Sequence, residues 1–310
     1  MSWLLQFLAL FCILCSVKAK STKPKQKIIS NGDWVIPLHD VTSTNADVIK
    51  SACKEGDDRE NIMDEIYRIN SCKDAHIAEH LFEFDVKSDN PSTAEHRGRH
   101  RRAAIYDEEY EWEQNSNGMV YIPYLIGSDV APIVRGVMAA AIQDFNQYTC
   151  IRFVPRQSES DFVYIFTSGF GCYANVGKQK GLTQVSLDEI CGQKGIALHE
   201  LMHVLGFRHE QGRRDRGRYI TIHYDRIKPE YRNQFTLDEY GKYVVYGTEY
   251  DGQSLMHYGN RVGGLTPDLV TISSKVDPSQ TFGQRNGFST LDLREINLKY
   301  KCGKQYVNYD

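Results

Sequence analysis

His199-Glu200-Leu201-Met202-His203-Val204-Leu205-Gly206-Phe207-Arg208-His209-Glu210 decides the fold and most of the chemistry of this chain. Its spacing is H-E-x-x-H-x-x-G-x-x-H. On a helix, residues four apart share a face, so His199 and His203 can aim their imidazoles at one point. Neutral imidazole is a good zinc ligand, and a catalytic zinc site has three protein ligands and an open position for water. Gly206 follows one turn later, where glycine lets a helix end through a left-handed conformation at little steric cost. The chain can then swing back and offer His209 as the third ligand. Glu200 lies beside the first histidine, placed to take a proton from water rather than to bind the metal.

A bare H-E-x-x-H arises by chance in roughly one chain of this length in fifty, so the pentapeptide alone decides little. The added glycine and third histidine lower that to the order of one in tens of thousands, which sets aside a core helix that merely carries histidines. The extended pattern is the metzincin signature, which calls for a methionine turn further on. Ser254-Leu255-Met256-His257-Tyr258-Gly259 supplies it, with Met256 able to close the floor beneath a metal.

With both motifs complete, the sequence resembles the astacin family of metzincin endopeptidases, whose pattern is H-E-x-x-H-x-x-G-F-x-H-E followed by S-x-M-H-Y. The resemblance implies one Zn2+ held by His199, His203 and His209, and Glu200 as general base. It implies that Tyr258 is an additional zinc ligand that swings away to stabilise the transition state. The fold it implies is α+β: a metzincin-type zinc protease domain with a twisted mixed sheet and an active-site helix above the cleft. A mostly irregular C-terminal half with a terminal helix completes that picture.

The chain has 310 residues, 41% hydrophobic and 25% charged, an ordinary globular composition. A formal charge of −3 gives no reason to expect a nucleic-acid partner. Trp3 to Val17 is an apolar run followed by Lys18-Ala19, too short to span a membrane, and residues 1–19 read as a signal peptide even without a basic residue at their start. No other stretch is long and apolar enough for a membrane helix, so a secreted product without a membrane anchor is expected. Of the eight cysteines, Cys12 and Cys15 leave with the signal. Cys53 and Cys72 fall in the next segment, and Cys150, Cys172, Cys191 and Cys302 in the zinc-bearing part. An even number in a secretory chain reads as disulfides, and spacing alone leaves three pairings of the last four open. Resemblance to astacins implies Cys150–Cys302 and Cys172–Cys191. No N-x-S/T sequon is present, since Asn90 is followed by Pro91.

Residues 20–102 begin with a lysine-rich lead, are polar with weak periodicity, and read as a propeptide. Phe82-Glu83-Phe84-Asp85-Val86 resembles the astacin propeptide motif F-x-G-D, whose aspartate fills the open zinc position of the zymogen; Phe84 stands where the motif has glycine. Asp85 is therefore expected to be the latch, against a short strand with Asp85 in solvent or a thiolate latch from Cys72. Arg99-His100-Arg101-Arg102 fits a furin-type cleavage pattern, and Ala103-Ala104-Ile105 resembles the start of the mature astacin domain. Cleavage between Arg102 and Ala103 by a furin-like or trypsin-like protease would free an α-amino group able to reach Glu210, a carboxylate that needs a partner if buried.

Residues 103–310 are expected to form the catalytic domain. Met119 to Ile126, Ile151 to Pro155, Phe162 to Phe166 and Thr183 to Leu187 read as strands. A helix with Val134, Val137, Met138, Ala141, Ile142 and Phe145 on its core face is expected to be capped by Ser128-Asp129. The active-site helix is expected from about Gly195 to Leu205. Cys172, Tyr173, Ala174 and Asn175 match the edge strand on which astacins lay substrate, and a free edge can hydrogen-bond any extended peptide. Arg213-Arg214-Asp215-Arg216 resembles the family's R-x-D-R stretch and reads as a solvated charge cluster. Arg285 stands where an arginine lines the pocket of astacins that prefer acidic residues after the scissile bond, and can pair a carboxylate bidentately. Ser289 with Asp292 three residues on marks the start of the terminal helix. With the chain ending shortly after Cys302, no further binding module is expected.

The expected function is thus that of a secreted zinc endopeptidase, made as a zymogen and acting on protein or peptide substrates. The alternative is a catalytically silent relative that uses the cleft for binding, against which the presence of Glu200 argues. A closed structural zinc site is disfavoured, because such sites have four ligands and are usually rich in cysteine.

Overall fold

The computed structural model describes residues 81–82, 85–87, 110–237 and 246–306. Twelve helices and strands matter for the site. In chain order they are β1 (Leu81–Phe82), β2 (Val86–Lys87), β3 (Val120–Ile126), α1 (Pro132–Tyr148), β4 (Ile151–Pro155) and β5 (Phe162–Phe166). After these come β6 (Cys172–Ala174), β7 (Leu182–Leu187), α2 (Lys194–Val204), β8 (Ile220–Ile222), β9 (Ile272–Ser274) and α3 (Thr290–Lys299).

One mixed sheet has the order β1-β2-β6-β7-β5-β3-β4. Strands β4, β3, β5 and β7 run parallel to their neighbours, while β6 pairs antiparallel with β7. Alternation sets the faces. Val120, Ile122, Tyr124 and Ile126 of β3 are buried while Tyr121 between them is exposed. The inward row continues through Ile151, Phe153, Val163, Ile165, Val185 and Leu187, and α1 covers it with Val134, Met138, Ala141 and Phe145. Expected strands and helix thus recur within a residue or so of their bounds. The expected Ser128-Asp129 cap does not. Ala131 precedes α1 with no side-chain cap, and Pro132 opens the helix. Asp129 instead accepts the Thr167 amide at 3.0 Å, tying the turn after β3 to the end of β5. Proline's preset φ starts the helix without an amide to satisfy, which releases the aspartate for that role.

Helix α2 is buried on every side, from Gly195 to Val204. A helix with no polar face belongs inside a protein, and its ends then need protein partners. Gly206, with φ 89°, closes it: the Gly206 amide donates to His203 O (2.7 Å) and the Phe207 amide to Met202 O (3.0 Å). The Trp112 indole donates to Val204 O and the Tyr300 hydroxyl to Leu205 O, both at 3.0 Å. Segments far apart in the chain, around Trp112 and Tyr300, therefore meet at the last turn of this helix. At its start, a Cβ on residue 195 would sit 1.7 Å from the Arg285 carbonyl oxygen, so Gly195 lets the segment before α3 lie against the helix.

After α2 the chain is mostly short turns of 3-10 helix and loops, with β8 and β9 as its one two-stranded sheet among the described residues. Cys150–Cys302 and Cys172–Cys191 are the disulfides among the described residues, as expected. No helix among the described residues is long and apolar enough to cross a membrane.

Candidate metal centre

Four buried side chains converge: Asp85, His199, His203 and His209, with one ligand atom of each within 4.8 Å of the others. Helix α2 supplies two of them at helical spacing, and the chain reversal at Gly206 brings the third. Each imidazole of α2 has its Nδ1 committed. His199 Nδ1 donates to Leu255 O and His203 Nδ1 to Phe207 O, both at 2.8 Å. That leaves Nε2 as the lone-pair atom on both rings. Burial holds both imidazoles below their ordinary pKa, with the positive charge of Arg285 adding to the effect on His199. Both shifts favour the neutral imidazole, the form that ligates.

The distances between donors test the fit to a metal. Asp85 lies 3.1 Å from His199 Nε2, 3.1 Å from His209 Nε2 and 3.6 Å from His203 Nε2. His199 and His209 are 3.3 Å apart at Nε2. A tetrahedron with bonds of about 2.05 Å has edges of about 3.3 Å, the zinc geometry. Acceptor lone pairs facing a carboxylate repel one another unless a cation lies between them. His203 Nε2 and Asp85 Oδ1 are moreover buried without any hydrogen-bond partner. The donor set fits zinc.

Asp85 is fully buried, which rules out the reading in which it lies in solvent. Burial alone would raise its pKa; positive charge at His209 outweighs that and holds it well below the usual carboxylate range. Its backbone is fixed too: the Ala174 amide donates to Asp85 O at 2.9 Å, and Val86 pairs parallel with Ala174. Asn175 Nδ2 reaches Lys87 O, and Lys87 Nζ donates to Gln184. The expected edge strand β6 is therefore covered in this form of the chain by its own residues 86–87. Cys172, Tyr173, Ala174 and Asn175 are all buried.

Glu200 is fully buried beside the histidines, and neither carboxylate oxygen has a hydrogen-bond partner. Burial first, then the charge of Asp85, push its pKa well up, with Arg285 opposing. Arg285 is itself buried, and its charge acts on His199, Glu200 and His257. Met256 is buried in the turn whose carbonyl holds the Glu210 amide (2.9 Å). Tyr258 is the largest fully buried side chain among the described residues, its ring 4.7 Å from that of His209. Its amide donates to Gln211 Oε1 at 3.0 Å.

Arg102 and Ala103 lie outside the described residues. Glu210 accepts from Arg213 Nη1 (2.9 Å) and from the Asp251 amide (2.7 Å). This corrects the reading of Arg213 to Arg216 as a solvated cluster. Arg213 is 2% exposed and donates also to both oxygens of Asp215 and to the carbonyls of Thr248 and Glu249. Arg216, also buried, donates to Gln211 O and the Tyr224 hydroxyl. An irregular half leaves carbonyls without a ladder, and guanidinium forks satisfy them. Nothing in the local charge pattern signals this. Trp112, Tyr300 and Gln211, which fix α2 and Tyr258, likewise carry no sequence signature.

Residues 104–301 match the family model for astacin, a family of peptidases. Embryonic protein UVS.2 of Xenopus laevis is 39% identical over 202 residues, covering 65% of this chain and 38% of that protein. Zinc metalloproteinase nas-8 of Steinernema carpocapsae is 32% identical over 296 residues, covering 94% of this chain and 68% of that one. Among solved structures, high choriolytic enzyme 1, a hatching-enzyme zinc protease from Oryzias latipes, superposes with a TM-score of 0.61. It shares 36% identity and covers 64% of this chain and 98% of that one. The chain spans well under two thirds of the length of UVS.2.

Proposed function

Because the chain belongs to the astacin family of peptidases, we propose that it is a secreted zinc endopeptidase made as a latched zymogen. Residues 1–19 would be the signal peptide, 20–102 the propeptide and 103–310 the catalytic domain. The observation that carries the reading is the convergence of three imidazole nitrogens and the Asp85 carboxylate at tetrahedral spacing, with Glu200 buried and unpaired beside them. His199, His203 and His209 would hold the metal of the active enzyme, and Asp85 would occupy the fourth position until activation. Zinc, when bound, polarises a carbonyl and makes water acidic enough to ionise near neutral pH.

The chain's own residues do the rest. Glu200 takes a proton from water and passes it to the leaving amine. The Tyr258 hydroxyl donates a hydrogen bond to the oxygen of the tetrahedral intermediate. Met256 packs beneath the histidines. Once residues 85–87 leave, the free edge of Cys172 to Asn175 binds substrate backbone, which suits an endopeptidase because edge pairing is blind to side chains. Arg285 selects acidic side chains after the scissile bond.

Cutting between Arg102 and Ala103 by a furin-like or trypsin-like protease would also release an α-amino group for Glu210. The surroundings favour an added cation: Glu210, Asp215 and Glu295 lie within 2.9, 2.9 and 3.8 Å of the single guanidinium of Arg213. Localisation outside the cell accords with the two disulfides.

The test is cleavage of a mixed peptide library by the full-length chain, before and after trimming at Arg102, with and without a zinc chelator. Chelator-sensitive cutting after trimming alone is the expected result, with acidic residues enriched after the cut. A trimmed, zinc-loaded protein that cuts nothing would instead make the cleft a binding site.

A further inference from the structure

The start of α3 does more than cap a helix. A capping box needs two bonds, and both are present: Ser289 N donates to the Asp292 carboxylate (2.9 Å) and Asp292 N to Ser289 Oγ (2.8 Å). Such a carboxylate normally faces water. Asp292 is 3% exposed and takes two further donors, both from the methionine turn. Ser254 Oγ donates to Oδ1 at 2.7 Å and the Leu255 amide to Oδ2 at 3.0 Å. A buried carboxylate is tolerated only where donors replace water, so the turn and the carboxylate require one another.

The bonds continue towards the metal centre. Ser254 Oγ, having given its proton to Asp292, accepts from the Met256 amide at 2.9 Å. That amide belongs to the same peptide unit as the Leu255 carbonyl, which accepts from His199 Nδ1 at 2.8 Å. Every donor in the series points towards Asp292. His199 gives to a peptide, the peptide to a hydroxyl, and the hydroxyl to a carboxylate. Bonds aligned head to tail polarise one another, so the carboxylate's charge is felt at the imidazole without contact. His203 differs: its Nδ1 acceptor is the Phe207 carbonyl, in the turn that ends its own helix.

Resting on the zinc reading above, we infer that Asp292 is a positioning residue for His199, acting through Ser254 and the Leu255–Met256 peptide. It fixes the tautomer and orientation of that ring and raises the basicity of its Nε2. Partners of this kind are worth about 10- to 100-fold in metal affinity.

The experiment uses the full-length chain, stripped of metal and titrated with zinc against a chromophoric chelator. Ser254→Ala and Asp292→Asn should each weaken zinc about 10- to 100-fold. The double variant should be no weaker than the worse single one, because the two act in series. Ser289→Ala removes the helix cap and leaves the relay, so it should lower the melting temperature and keep wild-type zinc affinity. Unchanged affinity in Ser254→Ala would overturn the inference, as would fully additive losses. An equal loss in Ser289→Ala would overturn it too, in favour of general loosening. Should Asp292→Asn not fold, Ser254→Ala, which deletes one hydroxyl, decides alone. The readout is metal affinity, so a protein that binds zinc without cutting peptides would remove the protease reading and leave the relay to its own numbers.

Discussion

Burial and chemistry pull against each other at Glu200. A carboxylate this enclosed, with neither oxygen hydrogen-bonded, holds its proton far more tightly than in water. Structural stability gains nothing from that arrangement, whereas a group meant to exchange protons with a substrate must face an unfilled space. The four converging donors do not include Glu200. Glu200→Gln should therefore keep zinc at wild-type affinity while peptide hydrolysis by the trimmed protein falls by about 10²- to 10⁴-fold, the usual worth of a general base. Stability should hold or rise, because an uncompensated acid is replaced by a neutral isostere. Zinc content and initial rates on one peptide check both halves of this statement; a loss of zinc would make Glu200 a ligand instead. The sequence displayed this residue and its histidines openly, since helical spacing fixes where i and i+4 point. The burial of Arg213 and Arg216 was less legible: beside the nearby Glu210 and Asp215, Arg213 also reaches the Thr248 and Glu249 carbonyls, and Arg216 the Tyr224 hydroxyl, partners set by the tertiary path.

Helix α3 shows how an element can be read correctly and still be underestimated. Its cap, Ser289 with Asp292, is visible in sequence as a local pattern. What surrounds it is not: Glu295, one turn on, shares Arg213 with Glu210 across the irregular half of the chain. Burial first, with Asp292 and Asp251 adding and Thr248 and Arg213 opposing, pushes the Glu295 carboxyl up to about 7 from an ordinary 4.5. A raised folded pKa means that the native state binds the proton more tightly than the unfolded chain does. The resulting stability is fully present below about pH 4.5 and is lost as pH rises through about 7. In Glu295→Gln that dependence should disappear. Relative to the variant, the wild type should lose on the order of 3 kcal/mol between about pH 4.5 and 8. Urea melts of both proteins at the two pH values measure it. Parallel pH profiles would show that Arg213 already keeps the acid ionised.

At the scale of the whole molecule, the astacin-matching part of the chain, residues 104–301, is tied together near its two ends. Gln114 Nε2 reaches the Tyr300 carbonyl, Lys299 pairs with Glu111, and Arg152 donates to the Tyr306 hydroxyl. Trp112 and Tyr300 meet at the end of α2. Period-2 and helical patterns made β3, β4, β5, β7 and α1 legible, because those elements bury one face each. The half after α2 has almost no period to read, and what fixes it is this set of long-range ties. Cys150–Cys302, separated by 152 residues, is the covalent member of the set. In the chain-entropy model a loop of that length contributes about 5 kcal/mol through the unfolded state, with measured values commonly between about 2 and 5. The paired substitution Cys150→Ala with Cys302→Ala should lower unfolding free energy within that range. The native contacts around α2 should stay as they are, because the bond constrains the unfolded chain rather than shaping the site. Zinc stabilises whichever form binds it, so the melts must be compared at one fixed free zinc concentration. Zinc affinity of the folded variant should match the wild type. If affinity fell with stability, the cross-link would be part of the metal centre's framework, and closure could no longer be separated from chemistry.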